Sequence, residues 1–312
     1  SSLLGNGDGT FQPSVDIGGS AQSVTVTDLN GDGAMDLICP RSETILVRLG
    51  VGDGTFPTFE LYPTGFGPSH ISVADMNNDG NPDLISPDRF GGTVSILLGN
   101  GNGTFQTPQS FQVGFSPWDA VVVDLDADGN KDVLVANDDG YLSVLLGNGD
   151  GTLREQQRYQ VGLNPRSLVA GDLNEDGNPD IAVANSISND ISVLLGNGDG
   201  TLQDAFTLAV SSSLTVGLGS PGTVILVDVD SNGSLDLVVN TDANVNLFLN
   251  QCDSASACPA DLTGDGNLDF FDISAFLNAF SAQDPVADFN GDGEFEFFDI
   301  SNFINAFNAG CP

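Results

Sequence analysis

Short apolar runs separated by glycine- and aspartate-rich turns cover the first 250 residues of the chain. In the third of these units the runs are Ala120–Asp124, Asp132–Ala136, Tyr141–Leu146 and Leu153–Val161. Runs of this length, rich in β-branched residues and bounded by turn signals, predict β-strands. Because the runs are nearly continuously apolar, we expect sheets that are covered on both faces.

The predicted strands recur with a regular period. The segment Leu3–Phe11 returns as Leu49–Phe56, Leu98–Phe105, Leu146–Leu153 and Leu195–Leu202, with a spacing of about 48 residues. A period of roughly 40 to 50 residues with several short strands per unit is typical of propeller blades, which pack face to face around an axis. The sequence therefore predicts a mainly β fold, a β-propeller with about five blades in residues 1–250.

The blade count leaves the closure of the ring open. The chain starts in a third strand, continues with four complete units, and ends on three strands of a fifth, Thr223–Asp228, Asp236–Val239 and Asn244–Leu249. Residues 11–17 could supply the missing fourth strand and close a five-bladed ring, which leaves Ser2–Leu4 as a surplus strand. The alternative is a segment of a larger ring.

A second repeat lies between the first and second predicted strands of each unit. Asp172–Asp180 has oxygen side chains at its first, third, fifth and ninth positions and glycine at its sixth. Six to eight oxygen ligands at roughly 2.3–2.6 Å suit Ca²⁺, and the glycine permits the sharp turn that folds them inward. With four further copies, the predicted ligands are Asp28, Asn30, Asp32, Asp36, Asp75, Asn77, Asp79, Asp83, Asp124, Asp126, Asp128, Asp132, Asp172, Asn174, Asp176, Asp180, Asp228, Asp230, Asn232 and Asp236.

Two more copies begin at Asp261 and Asp288, and they differ at the twelfth position. That position holds Cys39, Ser86, Val135, Val183 and Val239 in the first five loops, but Asp272 and Asp299 in the last two. A carboxylate at this position is what helix-type calcium loops require. Apolar residues follow at helical spacing and predict a shared core, namely Ile273, Phe276, Leu277 and Phe280, then Ile300, Phe303, Ile304 and Phe307. We therefore expect a linker at 251–257, a small helical domain at 258–312, and up to seven Ca²⁺ ions in all.

The composition narrows the classes of partner. The chain has 43 acidic and 7 basic residues among 312, a formal net charge of −36. Nucleic-acid binding needs a basic footprint and is not expected. No apolar run approaches the length of a membrane span. The chain begins within a repeat and without a signal peptide, which indicates a processed or truncated product, and millimolar calcium sites favour an extracellular or cell-surface location.

Other polar motifs have simpler interpretations. The Gly-Asn-Gly-Asp-Gly-Thr loops could hold a second ion, but Asn-Gly and Asp-Gly between apolar runs favour hairpin turns. His70, just before a first strand, is expected to be structural rather than catalytic. Phe66 and Trp118 occupy similar positions ahead of first strands, where they line one face of the ring or fill space between blades. Cys39 is expected to be a free thiol in a buried strand.

The Asp-x-Asn-x-Asp-Gly-x-x-Asp loops, joined to the Gly-Asn-Gly-Asp-Gly-Thr-Phe segments, resemble the FG-GAP/VCBS repeats of integrin-α-type β-propellers over residues 1–250. This resemblance implies that the loop carboxylates bind calcium on one face of the ring, and it transfers no catalytic role. The fifth loop departs from the pattern, with Asp230 at its third position and Asn232 at its fifth. Propellers of this family usually have seven blades, which keeps a segment of a larger ring as the alternative to a closed five-bladed ring.

The tandem tail resembles a dockerin of the cysteine-flanked type. The resemblance implies calcium ligands at Asp261, Thr263, Asp265, Asp269 and Asp272, and at Asp288, Asn290, Asp292, Glu296 and Asp299. It also implies a disulfide between Cys258 and Cys311, for which Cys252 competes. Where cellulosomal dockerins carry the small hydroxyl residues that contact cohesin, this chain has Phe270-Phe271 and Phe297-Phe298. We therefore expect an aromatic interface with another partner, or with the propeller, in place of ordinary cohesin recognition.

These features favour a non-catalytic extracellular calcium-binding module. We expect it to mediate protein–protein assembly, through a cohesin-like partner or by self-association into a multimer or filament. An enzyme is not expected, because no nucleophile–base pair accompanies the clustered aspartates. The alternative is a lectin-like propeller attached to a scaffold or cell surface through its tail. Such glycan binding needs aromatic platforms at equivalent blade positions, and Phe66 is the one counterpart of Trp118 in the sequence pattern.

Overall fold

The computed structural model describes residues 3–14, 23–210, 221–241, 245–250, 262, 270–283, 287, 289, 295 and 297–309. The chain divides into two compact units, one formed by Ser1–Val229 with Leu235–Leu249 and the other by Asp230–Ser234 with Asn250–Pro312. Among the described residues, no helix is both long enough and apolar enough to cross a membrane.

The first unit is a series of antiparallel sheets whose strands follow chain order, and each sheet is one blade. Blade 1 consists of β1 (Thr25–Thr27), β2 (Asp36–Pro40), β3 (Thr44–Arg48) and β4 (Glu60–Pro63). Blade 2 consists of β5 (Ser72–Ala74), β6 (Asp83–Asp88), β7 (Thr93–Leu97) and β8 (Gln109–Gln112). Blade 3 consists of β9 (Pro117–Val123), β10 (Asp132–Asn137), β11 (Tyr141–Leu145) and β12 (Gln157–Gln160). Blade 4 consists of β13 (Pro165–Gly171), β14 (Asp180–Asn185), β15 (Asp190–Leu194) and β16 (Phe206–Ala209). Blade 5 has three described strands, β17 (Pro221–Val227), β18 (Asp236–Thr241) and β19 (Val245–Phe248). The predicted mainly β, propeller-like architecture is confirmed.

The near-continuous apolar runs follow from packing on both faces of each blade. Successive side chains of a strand point to opposite faces. In β10, Val133 and Val135 therefore enter the core shared with blade 2, whereas Leu134 and Ala136 enter the core shared with blade 4. All four side chains are completely buried.

The first strands of successive blades lie side by side and are linked by hydroxyl groups. Thr25 Oγ1 donates to the Ile71 carbonyl at 2.8 Å, and Ser72 Oγ donates to the Ala120 carbonyl at 2.6 Å. These bonds satisfy backbone acceptors that no neighbouring strand of the same sheet reaches, because the first strand is the edge of its sheet.

The two ends of the blade series are not joined in the described part of the chain. Four apolar clusters connect blades 1 to 2, 2 to 3, 3 to 4 and 4 to 5, and none of the described clusters connects blade 5 to blade 1. The prediction of strands at the amino terminus is wrong for residues 3–14. The β-pairing in these residues is a single bridge between Gly5 and Phe11. Residues 15–17 lie outside the described part.

The second unit contains two helices, α1 (Phe270–Ala282) and α2 (Phe297–Ala309). Phe276 and Phe303 are buried and stack with their ring centroids 4.1 Å apart, as the core of this unit. The prediction that Leu277 and Ile304 belong to this core is wrong, because they are 54% and 49% exposed. Each follows the central phenylalanine and lies about 100° further round the helix, which turns it towards solvent. Cys252, Cys258 and Cys311, and the side chains of the two phenylalanine pairs, lie outside the described residues.

Candidate calcium loops

Each candidate loop follows the first strand of its blade and leads into the second. Asp28–Asp36 joins β1 to β2, and the other four loops occupy the same place in blades 2–5. The first residue after a first strand and the first residue of a second strand are thus both aspartates. All five loops lie at the same end of their blades.

The backbone of every loop is left-handed at its fourth and sixth positions. The sixth residue is always glycine, with φ from 84° to 96°. The fourth residue has φ from 55° to 70°, and it is Gly31, Asn78, Ala127, Glu175 or Ser231. Alanine and glutamate are disfavoured in this conformation by roughly 1–2 kcal/mol each. The sequence pattern identified the glycine but not this second left-handed position.

The carboxylates at the first and fifth positions accept backbone hydrogen bonds that favour their ionised form. Asp28 Oδ2 accepts from the Gly33 amide and Oδ1 from the Gly31 amide, both at 2.8 Å. The Gly33 bond is the main reason why the pKa of Asp28 lies below its usual value. At the fifth position, the Asn81 amide lowers the pKa of Asp79 in the same way. These groups are therefore held as anions.

In blade 3 three loop carboxylates lie close together, and one carboxylate oxygen is unsatisfied. Oxygens of Asp124, Asp126 and Asp128 lie within 4.8 Å of one another. Asp124 Oδ2 accepts from the Gly129 amide at 3.0 Å, whereas the buried Oδ1 has no hydrogen-bond partner. Arg154 reaches Asp126 and Asp128 only at 3.9 Å and 3.6 Å, in half-exposed ion pairs that contribute little. A buried carboxylate oxygen without a donor is costly unless a cation binds it. This donor set fits Ca²⁺.

Loops 1, 2 and 4 bring their third and fifth side chains together through the asparagine amide. Asn30 Nδ2 donates to Asp32 Oδ2 at 3.0 Å, Asn77 to Asp79 at 3.0 Å, and Asn174 to Asp176 at 2.9 Å. In loop 5, Asp228 and Asp236 belong to the blade unit, whereas Asp230 and Asn232 lie in the segment that groups with the second unit. Of the predicted tail ligands, Asp299 has a described side chain, and it is buried in the first turn of α2. The remaining tail ligands lie outside the described side chains.

The ninth aspartate of each loop has a structural role that the spacing alone did not reveal. Asp36, Asp83, Asp132, Asp180 and Asp236 are completely buried. In blade 3, Asp132 Oδ2 accepts from the Leu125 amide at 2.7 Å and Oδ1 accepts from the Gly147 amide at 2.8 Å. Blades 1, 2 and 4 repeat this pair of bonds. The ninth carboxylate therefore ties the loop to the second residue after the third strand.

Burial raises the pKa of Asp132, and the charges of Asp126 and Asp128 raise it further. The same causes raise the pKa values of Asp83 and Asp180. Each carboxylate oxygen has two lone pairs, so one that accepts an amide hydrogen bond can still bind an ion. A cation in the loop would oppose both causes of the raised pKa.

The Gly-Asn-Gly-Asp-Gly-Thr loops use their side chains within the turn. Asp150 Oδ1 accepts from the Thr152 amide at 2.9 Å and from its hydroxyl at 2.5 Å, and Asn148 Nδ2 donates to the same hydroxyl at 2.8 Å. Equivalent bonds occur in the other copies. Because these polar groups satisfy one another, the hairpin interpretation accounts for the motif without an ion.

At the opposite end of the blades, Trp118 lies between two guanidinium groups. The Cζ atoms of Arg89 and Arg166 are 3.7 Å and 3.6 Å from the centre of the indole. Two groups this close to one centre would collide on the same face, so they cover both faces of the ring. Trp118 Nε1 donates to Asp138 Oδ1 at 3.0 Å. Trp118 is therefore not an open platform for a sugar ring.

The true counterpart of Phe66 is Phe115, not Trp118. The prolines that follow them, Pro68 and Pro117, pair with Asp88 and Asn137 at equivalent places in their blades. Leu163 takes this position ahead of blade 4, and the three side chains are 51%, 73% and 58% exposed. A Gly-Phe/Leu-x-Pro repeat in the sequence carries this signal, which the comparison with Trp118 missed.

His70 bridges two blades. Its Nδ1 lies 3.1 Å from Asp119 Oδ1, and Asp119 Oδ2 accepts from the Leu168 amide at 3.2 Å. The hydrogen bond with Asp119 raises the pKa of His70. Both residues line a cavity of about 550 Å³ between the first strands. These contacts fit a structural link across blades 2, 3 and 4.

Comparisons with known proteins agree with this architecture. A lectin from Agrocybe aegerita that recognises non-reducing terminal N-acetylglucosamine superimposes with a TM-score of 0.55 and 20% identity, over 80% of this chain and 74% of the lectin chain. A periplasmic gluconolactonase from Pseudomonas aeruginosa superimposes with a TM-score of 0.50 and 23% identity, over 67% of this chain and 63% of the enzyme chain. At these identities the likeness concerns the fold. No curated protein sequence matches the chain significantly.

The family comparison covers more than half of the sequence. The model of the FG-GAP-like repeat matches four times, at residues 28–86, 87–135, 124–183 and 172–239. Every match includes at least part of a candidate calcium loop and the strands beside it. The chain belongs to the FG-GAP-like repeat family.

Proposed function

We propose that this chain is a non-catalytic extracellular calcium-binding propeller that mediates protein–protein assembly. Two observations carry the calcium part: oxygens of Asp124, Asp126 and Asp128 lie within 4.8 Å of one another, and the buried Oδ1 of Asp124 has no hydrogen-bond donor. Left-handed residues other than glycine in loops 2 to 5 support it, because such conformations persist where the surroundings hold them in place. The formal charge of −36 supports it further, since bound cations would reduce the self-repulsion of the folded chain.

The ions have a stabilising role in this proposal. Each loop joins the first and second strands of a blade, and the ninth aspartate extends the connection to the end of the third. Calcium would bind the folded loop but not the unfolded chain, so it would stabilise the blades by mass action. An extracellular location follows from the calcium concentration that weak surface loops need. A non-catalytic role is proposed because the aspartates are accounted for as ion ligands and structural acceptors, although the propeller fold itself also occurs in an enzyme.

Calcium titration of the full chain tests the proposal. We expect saturable binding by isothermal titration calorimetry and a melting temperature that rises with Ca²⁺ and falls after chelation with EDTA. Mg²⁺ at the same concentration is the control, and it should substitute poorly because it demands a smaller and more rigid octahedral site. An unchanged melting temperature in EDTA would mean that the loops are acidic turns and would reject the calcium role.

Glycan binding is the second candidate function. It is supported by the exposed side chains of Phe66 and Phe115 at equivalent positions of successive blades. The lectin with this fold recognises terminal N-acetylglucosamine, which makes that sugar a rational first probe. Binding that is lost in Phe115→Ala but kept in Phe59→Ala, an exposed phenylalanine outside this series, would favour the glycan function. No binding to a glycan array in calcium would eliminate it.

A further inference from the structure

Two arginines stacked on Trp118 have no carboxylate partner in the described part of the chain. Arg154 and Arg158 form ion pairs with aspartates, but no described carboxylate lies within ion-pair distance of Arg89 or Arg166. The Cζ atoms of Arg89 and Arg166 lie on opposite faces of one indole, about 7 Å apart. The chain has 43 acidic residues and only 7 basic ones, so carboxylates are plentiful. These two cations are thus left available for an anion from outside the chain.

Both guanidinium groups are held in one orientation. Arg89 Nε donates to Ser116 Oγ at 3.3 Å, and Arg166 Nε donates to Asn164 Oδ1 at 2.7 Å. Ser116 and Asn164 both donate to Asp138, which also accepts from the indole nitrogen. The Nε atoms of both guanidinium groups therefore face the same polar network. Because the two terminal nitrogens of a guanidinium group lie on the other side of it from Nε, they point away from this network.

The terminal nitrogens of Arg89 and Arg166 are open to solvent. In the described chain none of them donates to a protein acceptor, and none is a buried atom without a partner. Burial lowers the pKa of Arg166, and the charge of Asp138 opposes this effect while that of Arg89 adds to it. Arginine still stays protonated near neutral pH, because its ordinary pKa is so high. Each guanidinium group therefore offers paired N–H donors that match the two oxygens of a carboxylate.

Exposed aromatic rings lie beside this pair of cations. The ring centre of Phe90 lies 5.3 Å from Arg89 Cζ, and the ring centres of Phe90 and Phe66 are 5.4 Å apart. The two phenylalanine side chains are 65% and 51% exposed. Aromatic residues and arginine are the types that protein interfaces enrich. The formal net charge of −36 repels a long polyanion, so the surface suits a partner segment with few charges and an apolar side chain.

We propose that Arg89 and Arg166 bind two carboxylates of an extended acidic segment from a protein partner. Alternate residues of an extended chain point to the same side and are about 7 Å apart. This spacing matches the separation of the two guanidinium groups across the indole. An apolar side chain two residues beyond the carboxylate on Arg89 would reach Phe90. The inference rests on the assembly part of the proposed function, for which it names the chemistry of the partner, and it does not depend on the calcium ligands.

Tryptophan fluorescence of the full chain in calcium tests the proposal, because Trp118 is the one tryptophan of the sequence. The probe is the capped peptide Leu-Thr-Glu-Thr-Glu-Thr, which has the leucine and both carboxylates on one side when it is extended. The control peptide Leu-Thr-Thr-Glu-Glu-Thr has the same composition, but its carboxylates point to opposite sides. We expect a saturable change in emission with the probe. The control should bind about tenfold more weakly, because it satisfies only one guanidinium group at a time.

Substitutions locate the binding site, with dissociation constants from isothermal titration calorimetry. Arg89→Gln and Arg166→Gln should each weaken binding of the probe by about ten- to a hundredfold, because each removes one charge-assisted pair. Arg89→Lys should also weaken it, since lysine keeps the charge but lacks the planar fork. Arg41→Gln is the matched control, because Arg41 follows the second strand of blade 1 as Arg89 follows that of blade 2. It should bind the probe like the parent chain.

The inference is wrong if neither method detects binding of the probe, or if the probe and the control peptide bind equally well. It is also wrong if Arg41→Gln weakens binding as much as Arg89→Gln does. Stronger binding of an oligomer of glucuronic acid than of the probe would overturn the assignment to a protein partner, and would indicate an acidic glycan instead. Thermal melts in calcium and in EDTA verify the fold of each variant. Failure of peptide binding with a normal response to calcium would reject this site alone and leave the calcium role standing.

Discussion

The substitution Asp124→Asn tests which of two roles Asp124 has in the blade 3 loop. The residue either binds an ion or only accepts a structural hydrogen bond. The substitution removes one of three carboxylates whose oxygens lie within 4.8 Å of one another, and it alters the buried Oδ1 that has no donor. If Asp124 binds calcium, the variant should respond less to the ion than the parent chain does. If the carboxylate only accepts the Gly129 amide, calcium should make no difference.

The magnitudes follow from the geometry of the loop. Two charges 4.8 Å apart repel by about 0.9 kcal/mol at the dielectric constant of water and by about 3.5 kcal/mol at an effective value near 20. Without calcium, relief of this repulsion should make Asp124→Asn more stable than the parent by about 1–3 kcal/mol. With a dissociation constant of roughly 0.1–1 mM and about 10 mM Ca²⁺, one site contributes about 1.4–2.7 kcal/mol to the parent chain. The variant should lose most of this contribution.

The assay is a four-way comparison of melting temperatures, parent and variant, each in calcium and in EDTA. The quantity to measure is the difference between the two calcium-induced shifts, which should be about 3–11 °C at roughly 2–4 °C per kcal/mol for a unit of this size. Asp150→Asn makes the same chemical change in the neighbouring turn and should leave the calcium shift unchanged. Equal shifts for the parent and Asp124→Asn would refute the assignment of Asp124 as a ligand.

Three further substitutions test separate parts of the structure. Ala127→Gly should stabilise the chain by a few tenths to about 1 kcal/mol in chemical denaturation, because Ala127 is left-handed with φ of 55°; a loss of stability would contradict this. His70→Gln should lower stability near pH 6 but not near pH 8.5, because the raised pKa of His70 gives a contribution that is complete below its ordinary value of 6.5 and lost as pH rises through the folded value. The half-exposed pair limits this effect to less than about 1 kcal/mol, and a pH-independent effect would exclude the ion pair. Gly103→Ala should lower the stability of the chain by about 1–3 kcal/mol more than Gly9→Ala does. Both glycines are left-handed, but only a Cβ at position 103 would lie 2.6 Å from a leucine of the preceding blade. Equal losses of stability would mean that this contact between blades has no effect.

The blades could be predicted from the sequence because their signals are local. Alternation between turn residues and apolar runs fixed β10 and β11 to within one residue of their observed ends. The oxygen spacing likewise located all five loops. Both signals depend on residues within a few positions of one another, so no knowledge of the tertiary structure was needed.

The features that the sequence did not predict depend on contacts across blades or on backbone angles. Ala127 has no composition signal for a left-handed conformation, which the closed loop imposes on it. The sequence left open whether Trp118 lines one face of the ring or fills space between blades, because Arg89 and Arg166, which enclose it, come from different blades. Leu277 fitted the helical spacing of a core position, but it lies about 100° further round the helix than Phe276 and is 54% exposed. In each case the tertiary neighbours decide the outcome.

A last prediction follows from the path between an ion loop and the neighbouring blade. In blade 3, Asp132 links the loop to the amide of Gly147, two residues beyond the third strand. A few residues later, the Gly151 amide donates to the Met76 carbonyl of blade 2 at 3.1 Å. Calcium in the loop should therefore stabilise the contact between two blades in addition to the loop that binds it.

Amide hydrogen exchange measures this effect. Chelation of calcium should increase exchange at Gly147 and Gly151 together with the loop from Asp124 to Asp132, because loosening the buried carboxylate frees the residue that it holds. The amides of β10 in the centre of the blade are the internal control, since their partners are strands on both sides. An increase confined to the loop would show that the ninth aspartate does not transmit the loss of the ion. An increase that includes Gly151 would show that the calcium loops also stabilise the packing between blades. Their role would then extend from the stability of a single blade to the packing of successive blades.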